Sequence, residues 1–111
     1  MDDRIREIRL RYDDVSQALA NPGIHADPSR LRDLSREHSQ LAQVVEAAAR
    51  LEKTRDDLDG ARALLAESEG DAEMAAMAKA EIEQLTGEVE RLEGELKRLL
   101  VPRDPLDDRD A

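Results

Sequence analysis

The 111-residue chain contains no cysteine, no phenylalanine and no tryptophan, and Tyr12 is its sole aromatic residue. Without cysteine there is no disulfide framework, thiolate metal site or cysteine nucleophile, and the chain suits a reducing compartment. Without large aromatics, any core must be built from 24 Leu, Ile and Val residues, enough for one narrow core and too little for a large enzyme. Glycine is scarce as well. The five glycines stand singly at 23, 60, 70, 87 and 94, so no phosphate-cradling loop exists. No apolar run approaches the roughly 20 residues that cross a bilayer. The opening Met1-Asp2-Asp3 begins no charged-then-apolar leader, so a cytoplasmic protein without a membrane partner is expected.

What is present reads as helix. Ala, Glu, Lys, Leu and Arg fill 61 of the 111 positions, a composition of long helices that leaves little material for strands. The net charge of −10 disfavours DNA or general nucleic-acid binding, because phosphate contact needs a basic surface. The imbalance is local. Residues 1–50 carry 8 basic and 9 acidic side chains, whereas residues 51–111 carry 9 and 18. Any RNA-facing surface therefore belongs to the first half.

Ile5, Ile8, Tyr12, Val15 and Leu19 recur at steps of three and four, which predicts an amphipathic helix over about 2–20. Asn21-Pro22-Gly23 ends it. Asp27-Pro28 reads as an N-cap followed by proline at the first helical position, opening a second helix over about 28–66. That helix carries two apolar registers. Leu31, Leu34, His38, Leu41, Val45 and Ala48 form one, and Val44, Ala47, Leu51, Thr54, Leu58, Ala61 and Leu65 form the other. The rotation of the apolar face near 38–45 predicts different packing partners for the two halves. Gly60 is a soft point, costing about 1 kcal/mol against alanine, through which the helix is expected to continue.

Glu67 to Asp71 form a polar turn, with Asp71 placed to cap a third helix over about 72–100. Ala75, Ala78, Ile82, Leu85, Val89, Leu92, Leu96 and Leu99 then alternate steps of three and four, beside a row of Glu81, Glu88 and Glu95. Lys97 and Arg98 suit the C-terminal dipole, and Pro102 stops the helix. Short connections force antiparallel neighbours. The expected architecture is all-α: an elongated three-helix antiparallel bundle, residues 1–101, with a projecting two-helix coiled-coil arm of roughly 30 Å. Tyr12 is expected near His38, Ile5 near Val45, and Leu41 near Leu96. Residues 102–111, charged and broken by Pro105, read as a linker toward a further domain.

Chemistry-bearing constellations are few. His38 lies on an apolar stripe and reads as a packed side chain, and His25 sits in a loop without partners. The carboxylates are spread along rods that offer no desolvated pocket to separate a catalytic pair. Asp104, Asp107, Asp108 and Asp110 lack the glycine and terminal glutamate of a calcium loop. No metal, cofactor, small-molecule substrate or enzymatic activity is expected. Candidate binding residues are Arg4 and Arg11, one heptad apart, and Arg32 and Arg36, one turn apart. They read either as ordinary solubilising side chains paired with neighbours such as Asp33 and Glu37, or as a modest phosphate or acidic-protein contact. Met74 and Met77 read first as gap-fillers near the tip of the arm and second as an adaptable contact surface.

Two stretches carry a family resemblance: Arg30-Leu-Arg-Asp-Leu-Ser-Arg-Glu-His-Ser-Gln-Leu41, and Leu99-Leu-Val-Pro-Arg-Asp-Pro-Leu-Asp-Asp-Arg-Asp-Ala111. Together they resemble the N-terminal helical domain of bacterial class I peptide chain release factors. Leu100, Pro102, Asp104, Pro105, Asp107, Asp108 and Arg109 look like the closing pattern of the type that reads UAA and UAG. The helix order, the Asn-Pro turn and Asp71-Ala-Glu-Met74 are similar too, so the resemblance covers essentially the whole chain. In that family a Gly-Gly-Gln loop promotes hydrolysis of peptidyl-tRNA, and a Pro-x-Thr tripeptide participates in codon reading. Neither occurs here. The resemblance thus implies an isolated domain that positions a factor on the ribosome, toward the GTPase-associated region of the large subunit; the charge asymmetry makes the Arg-bearing half the expected contact. Two rival readings remain at this point: a stand-alone coiled-coil adaptor or homodimerisation module, and a tRNA-binding arm, which the acidic second half disfavours.

Overall fold

The computed structural model describes residues 2–101; the expected linker over 102–111, with its aspartate run, lies outside the described residues. Helix α1 spans Asp2–Ala20, a short 3-10 turn spans Pro22–Ala26, α2 spans Pro28–Glu67 and α3 spans Ala72–Leu100. At 1.5 Å per residue the 40 residues of α2 extend roughly 60 Å. They account for most of the 67 Å long axis of the molecule, whose other dimensions are 37 and 21 Å.

Helices α2 and α3 start where the sequence supplies a cap. Asp27 accepts a hydrogen bond from the Arg30 backbone N–H at 3.1 Å, with Pro28 next in line. Asp71 does the same for Met74 at 3.0 Å. These side chains satisfy donors that the first turn leaves unpaired. Helix α3 ends with Val101 extended, as befits the residue before a proline. Gly70, at φ +86°, makes the reversal between α2 and α3. Beside it Ser68 donates its hydroxyl to the Leu65 carbonyl at 2.7 Å, so this buried polar side chain is satisfied.

The double register of α2 organises the packing. Val15 and Leu34 are buried with Ile24, backed by Leu19, Leu31 and Leu41, where α1 meets the start of α2. Val44, Ala47, Leu51, Leu58, Val89, Leu92 and Leu96 form the seam between α2 and α3, and Ile5 closes the upper end of that cluster. Thr54, in the apolar register, is accommodated because its hydroxyl donates to the Arg50 carbonyl at 2.8 Å. Each fully buried leucine contributes about 2 kcal/mol of hydrophobic stabilisation, so the leucines of this seam hold α3 in place. Helix α2 runs unbroken through Gly60.

One feature differs from the sequence reading. The segment after Asn21 is a 3-10 turn that buries Ile24, where only a chain reversal was expected. The sequence shows Ile24 alone in a polar loop, with no periodicity to identify it as core. The helices form the expected elongated three-helix bundle, in which no Cα of α1 lies within 8 Å of a Cα of α3 and the side chains of Ile5 and Ile8 join α1 to the α2–α3 cluster. The bundle is two antiparallel pairs sharing α2 as a spine, and the arm is the part of α2 and α3 that continues past Asp2.

Candidate functional site

The α1–α2 interface concentrates the polar side chains that the fold holds in place. Tyr12 and His38 stack with ring centroids 4.6 Å apart and planes 25° from parallel. The His38 Nε2 lies 3.1 Å from the Ser16 hydroxyl. One residue earlier on each helix, the Arg11 guanidinium grips the Glu37 carboxylate with two bonds, Nε at 2.8 Å and Nη2 at 2.7 Å. That hydrogen bonding, with the opposite charge behind it, holds the Glu37 carboxyl below its ordinary pKa and raises that of Arg11. On the other edge of α1, Arg9 pairs with Glu52 at 2.9 Å.

The four arginines singled out from the sequence do not form one patch. Arg11 is committed to Glu37, so the carboxylate expected to neutralise a neighbour on its own helix serves an interhelical link instead. Arg4 is exposed on the same edge of α1. Arg32 and Arg36 lie two residues either side of Leu34, which faces α1. At about 100° per residue this turns both onto the far side of α2, where they are exposed. Arg4, Arg32 and Arg36 make no ion pair within 4.0 Å among the described residues.

The fold assembles different arginines. Where α1, α2 and α3 come closest, Ile5, Ala48, Leu51 and Leu96 floor a cleft of about 260 Å³ whose rim includes Arg6, Arg9 and Arg55. Arg9 is held by Glu52 and Arg55 by Glu93 at 3.3 Å. Arg6 and Arg9 come from α1 and Arg55 from α2, a grouping that spacing along one helix does not give. Among the described residues no group of His, Asp and Glu side chains is placed to hold a metal ion, and no helix is long and apolar enough to cross a membrane. His25 is exposed in the 3-10 turn.

Residues 8–111 match the PCRF domain. The chain belongs to the PCRF domain family. Over all 111 residues it is 46% identical to peptide chain release factor 1 of Geobacter metallireducens. It is 42% identical to the proteins of the same name from Listeria welshimeri and Geobacter sulfurreducens. The whole of this chain is covered in each case, against 30%, 31% and 30% of the respective relatives. The chain therefore spans about a third of the length of the curated relatives it matches. No solved structure gives a significant match. These similarities bear out the resemblance to release factors. In this PCRF domain the residues that carried it fall in two places: Arg30 to Leu41 on the first turns of α2, and Leu99 to Val101 at the end of α3, with the rest of the closing pattern outside the described residues.

Proposed function

We propose that the chain is the ribosome-positioning domain of a peptide chain release factor that terminates translation at UAA and UAG codons in the cytoplasm. In this reading it reaches toward the GTPase-associated region of the large ribosomal subunit. The observation that carries the proposal is the similarity along all 111 residues to peptide chain release factor 1 proteins. With neither Gly-Gly-Gln nor Pro-x-Thr in its sequence, this segment supplies placement and no chemical step of peptide release. A stiff helical rod 67 Å long suits that task, since capped, packed helices transmit position with little bending.

Arg32 and Arg36, exposed at the opposite end of α2 from the acidic tip, are the phosphate contacts in this reading. Arg4 adds to them, and Arg11 serves by fixing α1 through Glu37. The homodimer reading is weakened because the seam it needs, Ala78, Val89, Leu92 and Leu96, is already buried against α2. Cosedimentation of the purified chain with bacterial 70S ribosomes tests the proposal. The wild-type chain is expected to pellet with ribosomes, and R32E/R36E to do so several-fold less. Equal pelleting of that variant removes the arginine contact. A wild-type chain that stays in the supernatant removes the positioning role.

A further inference from the structure

Helix α3 covers only part of α2. Its last residues meet Gln40, Gln43 and Val44, which line a depression of about 450 Å³ together with Arg98, Leu99 and Val101. Because the two helices are antiparallel, a chain holding its course beyond Val101 travels toward the start of α2. There the track that α3 leaves is open: Ser29, Arg32, Ser35, Arg36 and Ser39 are all exposed, along roughly 18 Å of helix. At about 100° per residue, Arg36 and Arg32 project within a quarter-turn of the line drawn by Ala47, Leu51, Thr54 and Leu58, on the side away from α1. Arg36 also stands two turns before Gln43, on the same flank as the depression.

The sequence that follows α3 is matched to this face. Val101 is already extended, at φ −67° and ψ 123°, and Pro102 and Pro105 fix their own φ near about −65°. On such a course each residue advances about 3.1 Å, twice the rise of the helix alongside. Counted from Val101 beside Gln40, Asp104 comes level with Arg36, and Asp107 falls less than one turn past Arg32, within the length of an arginine side chain. Residues 103–110 carry Asp104, Asp107, Asp108 and Asp110 against Arg103 and Arg109. Opposite them, Arg32 and Arg36 make no ion pair within 4.0 Å among the described residues. Of the acids nearby, Glu37 is bound by Arg11, which leaves Asp33 against two guanidiniums. The positive end of the α2 dipole adds to the attraction for carboxylates. The face and the segment are thus complementary in both sign and spacing.

We propose that residues 102–108 dock along α2 in the track that α3 leaves, with Asp104 on Arg36 and Asp107 on Arg32. The contact is intramolecular and stands apart from the ribosomal reading; under that reading, a phosphate exchanges with a carboxylate at each arginine. The test uses the whole chain in solution. It has no native cysteine, so Asp110→Cys accepts a single nitroxide label, whose electron spin broadens nearby amide signals in NMR spectra. The amides of residues 28–36 are expected to be broadened at least two-fold more in this protein than in the same protein carrying R32E/R36E. Helicity by circular dichroism should be unchanged, since both arginines are exposed. Adding Asp104→Arg and Asp107→Arg to R32E/R36E swaps the charges and is expected to restore the broadening. Equal broadening with and without R32E/R36E, broadening that falls instead around Arg6, Arg9 and Arg55, or no recovery in the charge-swapped protein overturns the docking. None of these outcomes bears on ribosome binding, which the cosedimentation above measures separately.

Discussion

Tyr12 and His38, 26 positions apart in sequence, stack face to face across the α1–α2 interface with centroids 4.6 Å apart. The only aromatic side chain of the protein thus rests on one of its two imidazoles, and the contact sets how far along α2 the first helix sits. A stacked pair of this kind is worth about 1 kcal/mol beyond its buried area. Tyr12→Ala and His38→Ala are each expected to lower stability by about 1–2 kcal/mol in urea denaturation. The double mutant should lose about 1 kcal/mol less than the sum. Strict additivity would show that the rings merely neighbour each other.

Acid should loosen the same interface through Glu37. Its carboxyl titrates lower in the folded chain than in the unfolded one because Arg11 hydrogen-bonds and attracts the charged form. The unfolded state therefore takes up the proton first as pH falls. The stabilisation is complete above the unfolded carboxylate pKa of about 4.3 and disappears as pH drops through the folded value. Wild type should be more stable than E37Q at pH 7, and the gap should close as pH falls through the lowered folded-state value. A gap that holds constant across that range contradicts this account.

Burial along the seam forecasts a steep contrast between leucines. Leu96 is 0% exposed between α2 and α3, whereas Leu10 is 60% exposed on the outer face of α1. Leu96→Ala is expected to cost about 2–5 kcal/mol, and Leu10→Ala less than about 0.5 kcal/mol. Thermal unfolding of the two variants side by side checks it; similar melting points would mean that α3 is not held by this seam.

Gly60 and Gly70, both on the arm, should respond with opposite sign. Gly60 lies within α2, and an alanine methyl there meets no atom within 4 Å beyond its own turn of helix. Gly60→Ala is expected to stabilise by about 1 kcal/mol. Gly70 sits at φ +86°, where a Cβ is strained, and Gly70→Ala is expected to destabilise by about 1 kcal/mol. Chemical denaturation midpoints that move the same way for both would refute the assignment of the reversal to Gly70.

Much of this architecture follows from local chemistry. Asp27-Pro28 and Asp71 start helices because a side-chain carboxylate can satisfy first-turn N–H groups without help from the rest of the fold. Pro102 restrains the residue before it in the same local way. The double register of α2, turning from Leu34 and His38 to Leu51 and Leu58, likewise announced two partners, because a helix buries whichever faces are apolar. The core positions of α3 were equally visible in its repeat.

What only the tertiary structure decided concerns side chains that have no local partner. Ile24 became core because the 3-10 turn folds it onto Val15 and Leu34, a contact no periodicity encodes. Arg11 was claimed by Glu37 and Arg9 by Glu52 once α1 lay along α2, whereas Arg32 and Arg36 were turned to solvent by the same docking. Spacing along one helix states which residues share a face; it does not state which face another helix will cover. The sequence by itself determined three helices, the caps of two of them, their antiparallel order and their apolar stripes, since these depend on backbone hydrogen bonds and short-range periodicity. The free or occupied state of each arginine depends on the separation and register between helices, which exist only in the folded chain.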